Sequence, residues 1–211
     1  MALPVVTVTR QFASGGSEVA RRVAGELGWE LIDNEFVDEV ARRVDLPAAE
    51  VAQREERAPG LLERVARALA AGSPELAVSV AVAPRAERDE ATIVEVTERV
   101  IAEAAAHGRI VIVGRGAQAV LARHPDALHV YVVASKPWRV RLAVERLGVD
   151  PADAAKVVDD TDRRRDQYVK TYYGRVRDDL TNYDLVVNTE RLGVEAAAAL
   201  VAGEVSRRGW S

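Results

Sequence analysis

The chain has 211 residues, 48% hydrophobic and 29% charged, with a net charge of −4; this balance suits one globular domain and argues against a dedicated nucleic-acid binder. It contains no cysteine, which excludes disulfides, thiolate metal sites and a thiol nucleophile. No uncharged apolar run is long enough to span a membrane, and Met1-Ala2-Leu3-Pro4 lacks the basic and apolar pattern of a leader, so the expected location is the cytoplasm.

The first element is Val5-Val6-Thr7-Val8, a β-favouring run that leads through Arg10-Gln11-Phe12-Ala13-Ser14-Gly15-Gly16-Ser17 into a helix. Val19, Val23 and Leu27 give that helix an apolar face, and Gly28 closes it. Strand, glycine turn and helix in this order form a phosphate-binding arrangement, because the curled backbone and the helix N-terminus both present N–H groups. The full pattern is G-x-x-x-x-G-K-[ST]. Gly15 takes its second glycine and Ser17 its hydroxyl, but Arg10 stands at the first glycine and Gly16 at the lysine. An ordinary βα turn is the alternative at this point.

Trp29 to Asp33 reads as a second strand ending in an acid, with Asn34 to Val37 opening a helix. Asp33 is either a carboxylate at the active edge of a parallel sheet or a helix cap with Asn34. From Asp38 to about Arg109 the sequence is helical in character, broken near Pro47, Pro59, Pro74 and Pro84. Ala77 to Val82 could form a short buried or edge segment within it. The insertion reads as an acceptor-binding lobe or a dimerisation surface, which leaves a homo-oligomer open. Its last helix, Thr92 to His107, carries Ile93, Val96, Val100 and Ile101 on one face and stops at Gly108.

Arg109 to Val113, His129 to Ala134 and Tyr183 to Thr189 are three further strands. Helices follow from Ala117, after Pro137, and from Gly193 to Val205. This alternation predicts a parallel α/β sheet with right-handed crossovers. His107, His124 and His129 have no metal-ligand spacing and read as surface or helix-end residues. Asp159 to Tyr168 mixes acids and arginines, which is ordinarily a solvated helix face.

Taken in order, several of these pieces resemble the cytidylate kinase-like proteins, a branch of the nucleoside monophosphate kinases. They are the loop Arg10 to Ser17, the run Leu27-Gly28-Trp29-Glu30-Leu31-Ile32-Asp33, Glu55-Glu56-Arg57, Gly114-Arg115-Gly116 and His124-Pro125-Asp126-Ala127. Asp162-x-x-Arg165-x-x-Tyr168 with Tyr172-Tyr173, and the strand Tyr183 to Thr189, complete the set. The resemblance implies a three-layer P-loop kinase-like parallel sheet with a helical acceptor-binding insertion and a helical lid. It implies a single domain over 1–211, with a core of 4–37, 109–143 and 183–205, an insertion of 38–108 and a lid of 144–182. Cytidylate kinases proper have a glycine-initiated loop with lysine, and Gly-Arg-Asp where this chain has Gly114-Arg115-Gly116.

The resemblance further implies ATP as phosphoryl donor, Mg²⁺, and a nucleotide or other small phosphate acceptor, with no nucleic acid or membrane as partner. Ser14, Gly15, Gly16, Ser17 and Glu18 would hold the donor phosphates, and Ser17 would also contact Mg²⁺. Arg10, Arg115 and Arg165 are the expected catalytic cations, Arg10 replacing the missing lysine. Arg21 and Arg22 are expected to face solvent, and Arg163 and Arg164 to point elsewhere around the lid helix. The acceptor would lie among Asp33, Glu56, Arg115 and Tyr168, while Tyr172 and Tyr173 read as packing residues.

Overall fold

Val5–Arg10 forms β1, the centre of a five-stranded sheet, because its alternating side chains are covered on both faces. A computed structural model of the chain describes residues 3–33 and 90–210. The expected helix from Asn34, the insertion up to Arg88, the segment Ala77 to Val82 and the contact Glu56 lie outside the described residues. The remaining strands are β2 (Glu30–Asp33), β3 (Ile110–Val113), β4 (Ala127–Val133) and β5 (Leu185–Asn188). All pair in parallel, in the order β2-β3-β1-β4-β5, with Val5 opposite Ile110 on one side and Ala127 on the other. The order brings the carboxyl ends of β1, β2 and β3 side by side, with Val8 and Asp33 both registered to Val113.

The helices are α1 (Gly16–Leu27), α2 (Glu90–His107), the one-turn α3 (Ala117–Val120), α4 (Lys136–Leu147), α5 (Pro151–Tyr173) and α6 (Thr189–Arg207). Strand periodicity sorts them into layers. Val6, Val8, Val111 and Val130 face α1 and α6, which supply Val19, Val23, Ala197 and Val201. Val5, Ile110 and Ile112 face the opposite layer, where Ile101, Ala104 and Ala105 of α2 join Ala117 and Leu121. The helix α2 therefore forms one layer of the core. The small residues of α6 let it approach the sheet closely, and a kink at Gly193 (φ 75°, ψ 163°) separates its first turn from the stretch starting there in the sequence reading.

Helices α4 and α5 pack as a pair over the loop after β1. Ala143, Ala154 and Val158 enclose Ala13, with Phe12, Leu147 and Val149 around them. Ser135 caps α4 and Asp150 caps α5 through their side chains, with proline in the first turn of each. His129 is not the surface residue its sequence context suggested. It sits within β4, its Nδ1 2.7 Å from the Thr7 hydroxyl of β1.

Candidate active site

The loop between β1 and α1 is held from below by its own polar groups. Gln11 donates its amide to Val132 O (3.1 Å), and its side-chain oxygen accepts from the Ala134 amide (3.1 Å). The Ser14 hydroxyl donates inward, to Gln11 O at 2.9 Å and Val132 O at 3.2 Å, and Thr189 Oγ1 donates to Ser14 O at 2.6 Å. Ser14 thus shapes the loop with its hydroxyl, leaving only backbone for a ligand. The turn is made by left-handed Ala13 (φ 58°) and Gly15 (φ 78°), the first of which is strained for a residue with a Cβ. Arg10 itself is the last residue of the strand, so the chain turns later than a glycine at that position would allow. Gly15 caps α1 without any side-chain hydrogen bond; the first N–H groups of a helix have no intrahelical acceptor, and Ser17 and Glu18 of this first turn line the cleft.

Above the loop stand arginines from three elements. Arg165 on α5 and Arg177 beyond it both donate to the Arg10 carbonyl, at 3.2 and 3.0 Å. Arg139 on α4 donates to Phe12 O (3.1 Å), to Ala134 O (3.1 Å) and to Asp162 (2.6 Å). Asp162 in turn accepts the Phe12 amide at 2.9 Å and lies 3.5 Å from Arg177. Arg177 also donates to Asp166 at 2.6 Å. The Arg10 guanidinium lies 4.0 Å from Asp33.

The surroundings shift the two guanidiniums in opposite directions. Burial works against Arg177, yet Tyr131, Asp162 and Asp166 hold its guanidinium above the usual range. Arg165 is pushed well down, first by burial and then by the neighbouring Arg10 and Arg177 guanidiniums, which outweigh Asp33 and Asp166. A guanidinium does not release its proton in a protein. Arg165 also lies 3.9 Å from Asp162 Oδ1, and it lines the cleft beside the loop.

That cleft, about 1160 Å³, exceeds the usual range for a single small-molecule pocket and has two lobes by the elements that line it. One lies between α1, α4 and α5 and carries Ser17, Glu18, Arg21, Arg146 and Arg164 over an apolar wall of Ala143, Leu147 and Val149. The other lies over the ends of β1, β2 and β3 and carries Arg10, Asp33, Arg115, Gln118, Arg165 and Tyr168.

Most of the expected site residues in the described part therefore line one cleft, and the details differ in three places. The Glu18 carboxylate is paired with Arg146 at 2.5 Å. Arg164 lines the cleft, although it was expected to point away; its Nε bonds Asp160 O at 3.2 Å and its side chain remains at the rim. Arg21 is exposed, as expected, and also lines the cleft rim, whereas Arg22 pairs with Glu195 on α6 at 3.2 Å. Arg139 and Arg177 were not singled out by the sequence reading. Nothing near them in sequence marks them, because their partners lie on other elements.

Gly114, Arg115 and Gly116 all have left-handed backbones (φ 73°, 53° and 70°). The strained Arg115 is thereby turned up at the end of β3, over the second lobe. A side chain at Gly116 would start 2.3 Å from Cε2 of Tyr173, so the end of α5 fills the space an aspartate would need. Tyr168 and Tyr173 contact edge-on at 6.0 Å between ring centres. Among the described residues no group of three or more acidic or histidine side chains is arranged as a metal site.

The parallel order and the helices on both faces define a P-loop-type kinase fold. The structure is similar to that of an uncharacterized protein from Eubacterium ventriosum, with a TM-score of 0.65 at 22% identity over 97% of this chain and 98% of that one. It is also similar to shikimate kinase from Bacteroides thetaiotaomicron, with a TM-score of 0.52 at 13% identity over 97% and 99% of the two chains. At these identities the likeness is one of fold. The Cytidylate kinase-like family matches residues 5–191, and the chain belongs to that family. Cytidylate kinases of Methanoculleus marisnigri and Thermoplasma volcanium are 30% identical over 79 residues and 31% identical over 100. These alignments cover 37% and 47% of this chain, and 44% and 53% of the relatives, so the chain spans about half the length of the curated relatives it matches. Family and fold are those of a kinase-like phosphotransferase. Among the described residues no helix is long and apolar enough to cross a membrane.

Proposed function

We propose that the protein transfers the γ-phosphoryl group of ATP to a small acceptor, with a nucleoside monophosphate such as cytidylate as the first candidate. The observation that carries this reading is the convergence of Arg10, Arg165 and Arg177 above the loop, beside a cleft that Arg10, Arg165 and Arg177 all line. Phosphoryl transfer needs positioning and charge neutralisation more than an acid–base pair, and this cluster supplies both.

In this reading the backbone of Ser14 to Glu18 holds the donor phosphates at the open N-terminus of α1. Arg10 and Arg165 neutralise the charge on the transferring group as the acceptor oxygen bonds to phosphorus and the bond to the ADP oxygen breaks. Arg115 and Tyr168, with Asp33 and Glu56, orient the acceptor in the second lobe. Mg²⁺ fits as a partner of the Ser17 hydroxyl and the donor phosphates, an ion that normally takes few ligands from protein. The docked helices α4 and α5 exclude water from the transfer.

A coupled assay of ADP formation across the common nucleoside monophosphates and nucleosides, with ATP and GTP as donors, tests the proposal. Turnover with one acceptor class supports it. A second reading, a nucleotide sensor without turnover, is favoured by the glycine at the lysine position. Binding of ATP·Mg in a calorimeter without ADP formation in any mixture would select it.

A further inference from the structure

We propose that Arg10 and Gly16 are an exchanged pair: the loop's cation has moved from the seventh position of the phosphate-loop pattern to the first, and the glycine from the first to the seventh. The inference rests on the kinase reading and concerns how its loop acquires charge. A β-carbon on Gly16 would fall 2.4 Å from Arg10 Cβ and 3.0 Å from Arg10 Cγ. No real side chain tolerates such a contact with a buried stem.

Backbone conformation does not explain that glycine. Gly16 opens α1 and has no positive φ, in contrast to Gly15 beside it, so any residue could adopt its conformation. Contact with the Arg10 stem excludes a side chain there, and Val132 Cβ, at 3.4 Å, bounds the same space. The stem of Arg10 thus occupies the space into which a lysine at position 16 would project.

The charged end arrives where a loop cation is useful. Arg10 Nη1 would lie 2.0 Å from a β-carbon on Gly114, and Nη2 lies 4.0 Å from Asp33. The guanidinium therefore sits over the ends of β2 and β3, in the lobe over the strands. Its peptide is fixed there by Arg165 and Arg177. One charge position can be reached by two covalent routes, and the routes exclude each other.

The exchange predicts a sign reversal between single and double variants. Arg10→Gly weakens ATP·Mg binding about tenfold or more through loss of a charge-assisted contact, and lowers turnover about a hundredfold. Gly16→Lys alone collides with Arg10 and lowers the melting temperature. The double variant Arg10→Gly/Gly16→Lys recovers at least about tenfold in binding over Arg10→Gly alone, because the lysine enters the vacated space. Gly16→Ala supplies a test free of activity: it lowers the melting temperature in the wild-type background and not in the Arg10→Gly background.

A double variant no better than Arg10→Gly, or a Gly16→Ala variant as stable as wild type, overturns the exchange. If wild type binds ATP·Mg and the binding and melting series behave as described while no acceptor turns over, the exchange stands and the kinase reading falls. A wild-type protein that binds no ATP·Mg overturns both.

Discussion

Asp162 and Arg139 meet at 2.6 Å beside the phosphate loop, and between them they hold both polar groups of Phe12. Asp162 accepts its amide and Arg139 donates to its carbonyl. One residue comes from α5 and the other from α4, so the pair ties two helices to one residue of the loop.

Asp162→Ala should destabilise the fold strongly. Asp162 and Arg139 are largely buried, at 15% and 8% exposure, and removing one member of such a pair costs about 3–5 kcal/mol because the other charge stays buried. A thermal melt should show a fall of roughly 6–20 °C for a chain of this size. Asp162→Asn, which keeps an acceptor for the Phe12 amide, should lose less. A loss below about 1 kcal/mol for the alanine variant would mean that Arg139 finds another partner.

Arg165 should behave in the opposite way. Arg177 also bonds the Arg10 carbonyl, so that group stays satisfied when Arg165 is replaced, and two like charges lose a neighbour. Arg165→Met should therefore melt at or above the wild-type temperature while turnover falls about a hundredfold. Inorganic phosphate should raise the melting point of wild type more than that of the variant. An equal response in the two proteins would show that Arg165 does not receive the anion.

Gly116 and Tyr173 should be coupled across 57 positions of sequence. Gly116→Asp meets the tyrosine ring at 2.3 Å and must also adopt φ 70°, a cost of about 1–2 kcal/mol by itself. Adding Tyr173→Ala should relieve the first effect and leave the second. Denaturant melts of the two single variants and the double would measure this, and simple additivity would refute the contact.

His129 predicts part of the acid sensitivity. Burial holds its pKa below the ordinary value, against the raising effect of the Asp184 carboxylate. Between the folded value and the unfolded value near 6.5, the unfolded chain binds the proton and the folded chain does not. Its contribution to stability is thus complete above about pH 6.5 and is lost as the pH falls below it. Melting temperatures at pH 7.5 and 5.5 should differ more for wild type than for His129→Gln. The charged groups that face it from the elements around it are Asp184, Arg175 and Arg208.

The sheet and the loop were legible in sequence because their causes are local. Four apolar residues in a row, as in Ile110 to Val113, require cover on both faces, and glycine turns announce the helix starts. Arg10, Arg115 and Arg165 could be picked out from strand ends and motif spacing. Arg139 and Arg177 could not, since an arginine bound to a carbonyl 127 or 167 residues away reads like any exposed arginine. The same limit hid the meaning of Gly16 and Gly116. A glycine kept free by the side chain of Arg10 or Tyr173 looks identical to one required by its own backbone.

The hydrogen bond from Phe12 to Asp162 turns one backbone site into a gauge. The acceptor for that amide is a side chain on α5, so the proton becomes exposed to solvent deuterium only when α5 lifts or the region unfolds. The exchange rate at Phe12, compared with that at a β1 amide such as Val6, separates these two events. The difference between their protection free energies is the cost of parting helix from loop in the resting protein. Isotope exchange at a single peptide group can therefore measure the opening of this site without any substrate in hand.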